Sequence, residues 1–345
     1  MKKVGIIGHF GLGKNLANGQ TIKTKIIANE LEKKYNGSVA IVDTHGGIKR
    51  LFKVVKQTIS LIKQCDNVII MTTENGLKAL VPVMFYKNKK YKKKLHYIVI
   101  GGWLEKFLKS NKSIMEKLRF FDCIYVETSV MRSQLKKLGF NNVLVMPNCK
   151  KLDIVKKNKL NIKYKEPFKI CTFSRVMKEK GIDDAVETII KINTEYNRTV
   201  YKLDIYGQID DYQVQWFENL KKKFPNYINY CGVVDFDKTT NILKDYFLLL
   251  FPTKFYTEGI PGTIIDSYAS GVPVISSKWE SFADIVEDGI TGYGYEFGDI
   301  DEMYNLLKKI IIEPTMITNL KQNCIEKAEE YKIDEVMKIL FMNIK

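Results

Sequence analysis

Short apolar runs recur along the chain, separated by polar text in which apolar residues return at helical spacing. Lys3 to Ile7, Val39 to Val42, Val68 to Met71, Tyr97 to Ile100, Cys123 to Val126 and Val143 to Val145 read as buried strands. Between the first two, Thr21 to Tyr35 carries the period of an amphipathic helix. Strands alternating with helices predict a parallel, doubly wound sheet over residues 1–150, closed by Pro147-Asn148-Cys149-Lys150. A polar, Lys-rich stretch, 151–166, reads as a linker. The alternation then resumes at Lys169 to Phe173, Tyr201 to Tyr206, Ile228 to Gly232, Tyr246 to Phe251 and Val272 to Ser276, giving a second domain over 167–326. The chain ends in helical text, Ile300 to Ile312 and Ile317 to Asn343.

The 345 residues suit two domains of ordinary size, each able to bury a core. Charge divides between them unevenly. Residues 1–150 hold 28 Lys and Arg against 9 Asp and Glu, whereas 151–345 hold 27 against 30, so the net +16 belongs to the first half. Such an excess points to an anionic partner: nucleic acid, an anionic membrane surface or a phosphate-bearing acceptor. The six cysteines are scattered, with no C-x-x-C and no nearby His pair, as in a protein of a reducing cytosol. No apolar run approaches a membrane span and no signal-peptide core opens the chain, so the expected location is cytoplasmic, with membrane contact only peripheral.

The most informative chemistry lies in Glu258-Gly259-Ile260-Pro261-Gly262-Thr263-Ile264-Ile265-Asp266, which follows a strand ending at Pro252. Open α/β sheets bind ligands beyond the carboxyl ends of their strands. Pro261 suits a first helical turn, where the amides of Gly262 and Thr263 would face an anion such as a pyrophosphate. Asp266 would lie in the second turn, within reach of a ribose diol. Gly271 then ends the helix and Val272 opens the next strand. Upstream, Arg175 and Lys180 in Ser174-Arg175-Val176-Met177-Lys178-Glu179-Lys180-Gly181 follow a strand end and could hold both charges of a diphosphate.

The Glu258 to Asp266 pattern closely resembles the E-x7-E signature of retaining glycosyltransferase family 4, of the bacterial surface-polysaccharide type, with Asp in place of the second Glu. Ser174 to Gly181 resembles the same family's G-R-x-x-x-x-K-G segment, with Ser in place of the first Gly. The resemblance implies the GT-B fold: two Rossmann-like, doubly wound domains facing a cleft, the C-terminal one holding the nucleotide sugar and the last helix, 327–345, packing back on the N-terminal domain. It implies a retaining, metal-independent transfer from a UDP-linked sugar to a hydroxyl of a glycan or lipid-diphosphate-linked oligosaccharide, as in surface polysaccharide assembly. Glu258, Arg175 and Lys180 take the catalytic roles. Gly11, Gly13, Gly207, Val233, Gly259, Ile260, Pro261, Gly262, Thr263 and Asp266 contact the donor. His9, Asn18, Gln20 and Thr21 face the acceptor. No cofactor beyond the donor substrate, no metal and no nucleic-acid partner is implied.

Other features compete with that reading. Gly8 to Lys14 fits G-x-x-x-x-G-K, and Val39 to Asp43 could pass for the acidic strand of a P-loop ATPase with a basic, nucleic-acid-binding first half. Position 15 is Asn, which lacks the hydroxyl that would ligand Mg²⁺. Asp235-Phe236-Asp237 and Asp299-Ile300-Asp301 mimic a metal motif but stand where helix caps are expected. His96 reads as a surface or capping residue. Trp103 to Phe121 predicts a basic amphipathic helix beside a Lys-dense loop, Lys87 to Lys94. That helix either docks on an anionic inner leaflet or packs into the core with a solvated Lys face.

Overall fold

The computed structural model describes residues 2–11, 19–46, 48–160, 163–235 and 238–344. The chain divides into two compact units, residues 1–150 with 333–345, and residues 151–332. In the first, β1 (Lys2–Gly8), α1 (Gly19–Lys34), β2 (Val39–Asp43), α2 (Leu51–Gln64), β3 (Cys65–Met71) and α3 (Glu74–Tyr91) are followed by β4 (Lys94–Ile98), α4 (Leu104–Ser110), α5 (Lys112–Leu118), β5 (Cys123–Val126), α6 (Ser129–Lys137) and β6 (Val143–Val145). The second holds β7 (Phe168–Phe173), α7 (Ile182–Glu195), β8 (Tyr201–Tyr206), α8 (Val214–Lys221), β9 (Ile228–Gly232), α9 (Thr239–Leu243), β10 (Leu248–Phe251) and α10 (Gly262–Ala269). It continues with β11 (Val274–Ser277), β12 (Gly292–Tyr295), α11 (Ile300–Ile312), α12 (Thr315–Thr318) and α13 (Lys321–Ala328). The last helix, α14 (Ile333–Phe341), belongs to the first unit.

Each unit is built on a six-stranded sheet, ordered β2-β1-β3-β4-β5-β6 and β12-β11-β10-β7-β8-β9, and the paired strands are parallel throughout. Because helices cover both faces of a parallel sheet, its strands are apolar without alternation, as in Leu248–Phe251, buried at every position. In the first sheet the winding reverses between β1 and β3; in the second it reverses between β7 and β10. Loops leaving adjacent strands diverge at such points and open a crevice. One face of the first sheet is closed by Ile27, Leu31, Val336, Met337 and Leu340, so α14 completes that core.

Several elements differ from their sequence expectation. Lys87 to Lys94 is not a loop: it is the last turns of α3, the left-handed cap Lys92 and the start of β4. Trp103 to Phe121 is two helices, broken at Asn111, whose backbone is non-helical and whose side-chain amide donates to the Phe107 carbonyl at 2.8 Å. Its apolar residues Leu104, Phe107, Leu108, Ile114 and Leu118 lie in the core of the first unit. The terminal helical text likewise breaks into α12, α13 and α14. His96 is fully buried in β4, its Nε2 3.2 Å from Asn67 Oδ1 and its Nδ1 3.4 Å from the Tyr125 hydroxyl. Burial pushes this imidazole down to about 4, so it is neutral in the folded chain.

Candidate active site

In the second unit the functional side chains cluster at the switch point between β7 and β10. The β7 loop turns sharply at Gly181, whose φ of +67° is left-handed and where a Cβ would lie 1.9 Å from the Pro252 carbonyl oxygen. No other residue type allows this approach. Lys254 N–H donates to the Glu179 carbonyl at 2.8 Å, and Lys254 Nζ reaches Asp184 at 2.8 Å, so the two loops are tied along their length. The result brings Lys180 to Glu258: Nζ donates to Oε2 at 2.7 Å, with both side chains largely buried at 14% and 18% exposure. Thr253 Oγ1 donates to the same oxygen at 3.2 Å, and the ring of Phe255 lies 5.0 Å from the Lys180 ammonium. Arg175 stands apart, half exposed and 3.4 Å from Asp210.

Four residues beyond Glu258 the helix α10 begins. Pro261 is its N-cap in extended conformation, one position earlier than the first-turn placement expected. Its carbonyl accepts from Ile264 and Ile265, while the amides of Gly262 and Thr263 have no acceptor among the described residues. The Thr263 hydroxyl is also buried without a partner there. The α10 start is therefore an array of unused donors beside a paired cation and carboxylate, suited to an anionic group. Gly259 precedes it and is buried. Ile260 is 4% exposed and its side chain packs with Ile264 and Tyr268 in the core. Asp266 lies in the second turn of α10 and is 4% exposed. Gly207 ends β8 with φ +137°, and a Cβ there would sit 1.7 Å from the Ser174 carbonyl oxygen; the glycine lets the β7 and β8 loops touch. Val233 is exposed just beyond β9.

The first unit has a crevice of its own. A cavity of about 720 Å³ opens past the ends of β1, β2 and β3, with His9, Gln20, Thr44, His45 and Thr72 among its lining and Leu51, Val54, Ala79 and Leu80 as its apolar wall. Asp43, at the end of β2, organises the rim: its Oδ1 accepts from the amides of Phe10 at 2.9 Å, Gly11 at 3.3 Å and His45 at 2.9 Å. His9 Nδ1 lies 2.9 Å from Thr21 Oγ1, and His9 Nε2 lies 3.1 Å from His45 Nδ1. Burial, then the neighbouring His45, push the His9 imidazole below its ordinary range, and its two ring nitrogens lie between a hydroxyl and a second ring. Gly13 and Asn18, with Lys14 and Asn15 of the competing P-loop pattern, lie outside the described residues. Thr253 and His45 do not stand out as site residues from sequence, and Asp43 does so only as the acidic strand end of the competing P-loop pattern.

Asp299 caps α11, accepting from Glu302 N–H at 2.8 Å. Asp235 is not a cap: α9 is capped by Lys238, whose ammonium pairs with the Asp235 carboxylate at 3.0 Å, and residues 236 and 237 of that motif lie outside the described residues. Among the described residues no helix is long and apolar enough to cross a membrane.

Two parallel, doubly wound units with switch-point crevices define the GT-B class. Across solved structures the chain is similar to an Anabaena protein, HepE, crystallised with UDP, at 14% identity and a TM-score of 0.78 over 99% of each chain. The family model described as glycosyl transferases group 1 matches residues 167–312. Among curated proteins the chain is 21% identical to an uncharacterized glycosyltransferase of Methanocaldococcus jannaschii, over 81% of this chain and 74% of that one. It is 25% identical to CapM, a capsular polysaccharide biosynthesis glycosyltransferase of Staphylococcus aureus, over 63% of this chain and 60% of that one. The match to the group 1 glycosyl transferases lies within the second unit, residues 151–332.

Proposed function

We propose that the protein transfers a sugar, with retention, from a UDP-linked donor to a hydroxyl of a glycan or lipid-diphosphate-linked oligosaccharide, in surface polysaccharide assembly. The observation that carries this reading is the set of donors at the α10 start, the amides of Gly262 and Thr263, four residues from the Lys180–Glu258 pair. The diphosphate takes those amides and the cations Lys180 and Arg175. Glu258, released from Lys180, orients the sugar; Asp266 meets the ribose and the strand-end segment at Gly207 and Val233 the remainder of the nucleotide. The bond from the anomeric carbon to the β-phosphate oxygen breaks while the acceptor oxygen bonds to the same face of that carbon. The departing phosphate receives the acceptor proton, so neither a protein nucleophile nor a metal is needed in this scheme.

HepE has been crystallised with UDP, with UDP and glucose and with UDP-glucose, which favours uridine in the donor. CapM's part in capsular polysaccharide biosynthesis favours a polysaccharide product. The basic first half suits an acceptor bearing a diphosphate, met at the inner face of the membrane. In this reading the acceptor hydroxyl enters the first unit's cavity, where His9 and Gln20 are among the lining and Thr21 hydrogen-bonds His9.

Calorimetry of UDP, GDP and ATP against the unaltered protein and its Arg175→Ala and Lys180→Ala variants tests the donor site. Removing either charge-assisted hydrogen bond should weaken UDP binding about tenfold or more. ATP binding that ignores both changes but disappears in Lys14→Ala would refute the proposal in favour of a P-loop enzyme.

A further inference from the structure

The cavity in the first unit has an exposed doorstep. Between Asp43 and Asp66 the sequence holds no acidic residue, and the first turns of α2 with the residues before it carry Lys49, Arg50, Lys53 and Lys56, all exposed. None of the four has a carboxylate partner among the described residues. In their midst Phe52 is 93% exposed and Leu51 38% exposed. A phenylalanine left almost wholly in water among such cations is an amphiphilic surface without its apolar phase. The amino terminus of the 14-residue α2 adds its own positive end to the field.

Position decides between this surface and the aromatic patch of Phe85, Tyr86 and Phe120 with Lys89 above it. That patch adjoins the last turns of α3 and the start of β4, so it lies toward the amino ends of the strands. The α2 start lies at their carboxyl ends, and Leu51 and Val54 of the same helix form part of the cavity's apolar wall. A bilayer meeting Phe52 would therefore present a lipid-linked head group to the cavity mouth.

We infer that the start of α2, from Lys49 to Lys56, is an anionic-phospholipid docking surface that inserts Phe52 into the lipid interface. The inference rests on the proposed lipid-linked acceptor.

The test is co-sedimentation with phosphatidylcholine vesicles, with and without phosphatidylglycerol. The variants are Phe52→Ser, a triple Lys49→Glu, Lys53→Glu, Lys56→Glu, and a comparison pair Tyr86→Ser, Lys89→Glu. Thermal unfolding confirms that each variant is folded. Binding should require phosphatidylglycerol, fall by on the order of a hundredfold in the triple variant and persist in the comparison pair. Binding unchanged in Phe52→Ser and the triple variant, or lost only in the comparison pair, would overturn the inference. So would retention of an RNA oligonucleotide by these lysines with no vesicle binding. UDP calorimetry on the same samples reports separately on the donor site.

Discussion

Replacing Gly181 by Ala tests whether the meeting of Lys180 and Glu258 depends on backbone contact between the β7 and β10 loops. Two penalties apply. A left-handed backbone, φ +67° here, costs a residue with a Cβ about 1–2 kcal/mol. The added methyl would then lie 1.9 Å from the Pro252 oxygen, an atom of buried backbone that cannot swing aside. Overpacking of this kind costs about 1–3 kcal/mol. A total near 3 kcal/mol lowers the melting temperature of a unit this size by about 6–12 °C. Gly298→Ala is the control: its φ is +84°, yet nothing lies within 4 Å of the added carbon, so only the backbone penalty remains. The assay is thermal unfolding of both variants alongside UDP calorimetry. Gly181→Ala should lose more stability than Gly298→Ala and should weaken UDP binding, as Lys180 moves from its place. Equal stability loss in the two variants, with UDP binding intact, would refute the argument.

Glu258→Gln should bind UDP no more weakly than the unaltered protein, because Lys180 loses its competing carboxylate, while sugar transfer falls at least a hundredfold; weaker UDP binding would count against the assigned division of roles. Asp43→Ala should destabilise the first unit by roughly 2–4 kcal/mol, since three amides lose one acceptor, with UDP binding unchanged. His96 adds a pH dependence. Its folded value of about 4 lies below the unfolded 6.5, so the unfolded chain binds the extra proton between them and stability falls as pH drops from about 6.5 to about 4, by about 3 kcal/mol in total. Urea unfolding of the unaltered protein and His96→Gln across that range should show a steeper slope in the former.

The sheets are readable because strands covered on both faces need consecutive apolar residues. Gly292-Tyr293-Gly294-Tyr295 carries no such run and gives no sequence sign of β12; a Cβ at Gly292 would meet the Val274 oxygen at 2.1 Å, so tight strand pairing replaces side-chain signal. Trp103 to Phe121 keeps its helical period across the break because Asn111 interrupts the backbone without disturbing the spacing of apolar residues around it. In the candidate site, Arg175, Lys180 and Glu258 stand out because each follows a strand end. Their distances are not legible, since the Gly181–Pro252 contact joins segments some seventy residues apart. Lys23 and Glu127, a buried pair at 2.5 Å and 104 residues apart, have no local signal at all.

The return of α14 to the first unit has a consequence for synthesis. Val336, Met337, Leu340 and Ile344 cover a sheet face that Val4, Ile6 and Ile69 help to line, yet residues 151–332 must leave the ribosome before they do. The unit begun first is thus finished last, and the intervening unit, contiguous in sequence, is free to fold ahead of it. During that interval the nascent chain carries an uncovered apolar strip, the kind of surface that chaperones hold and that promotes aggregation when synthesis stalls.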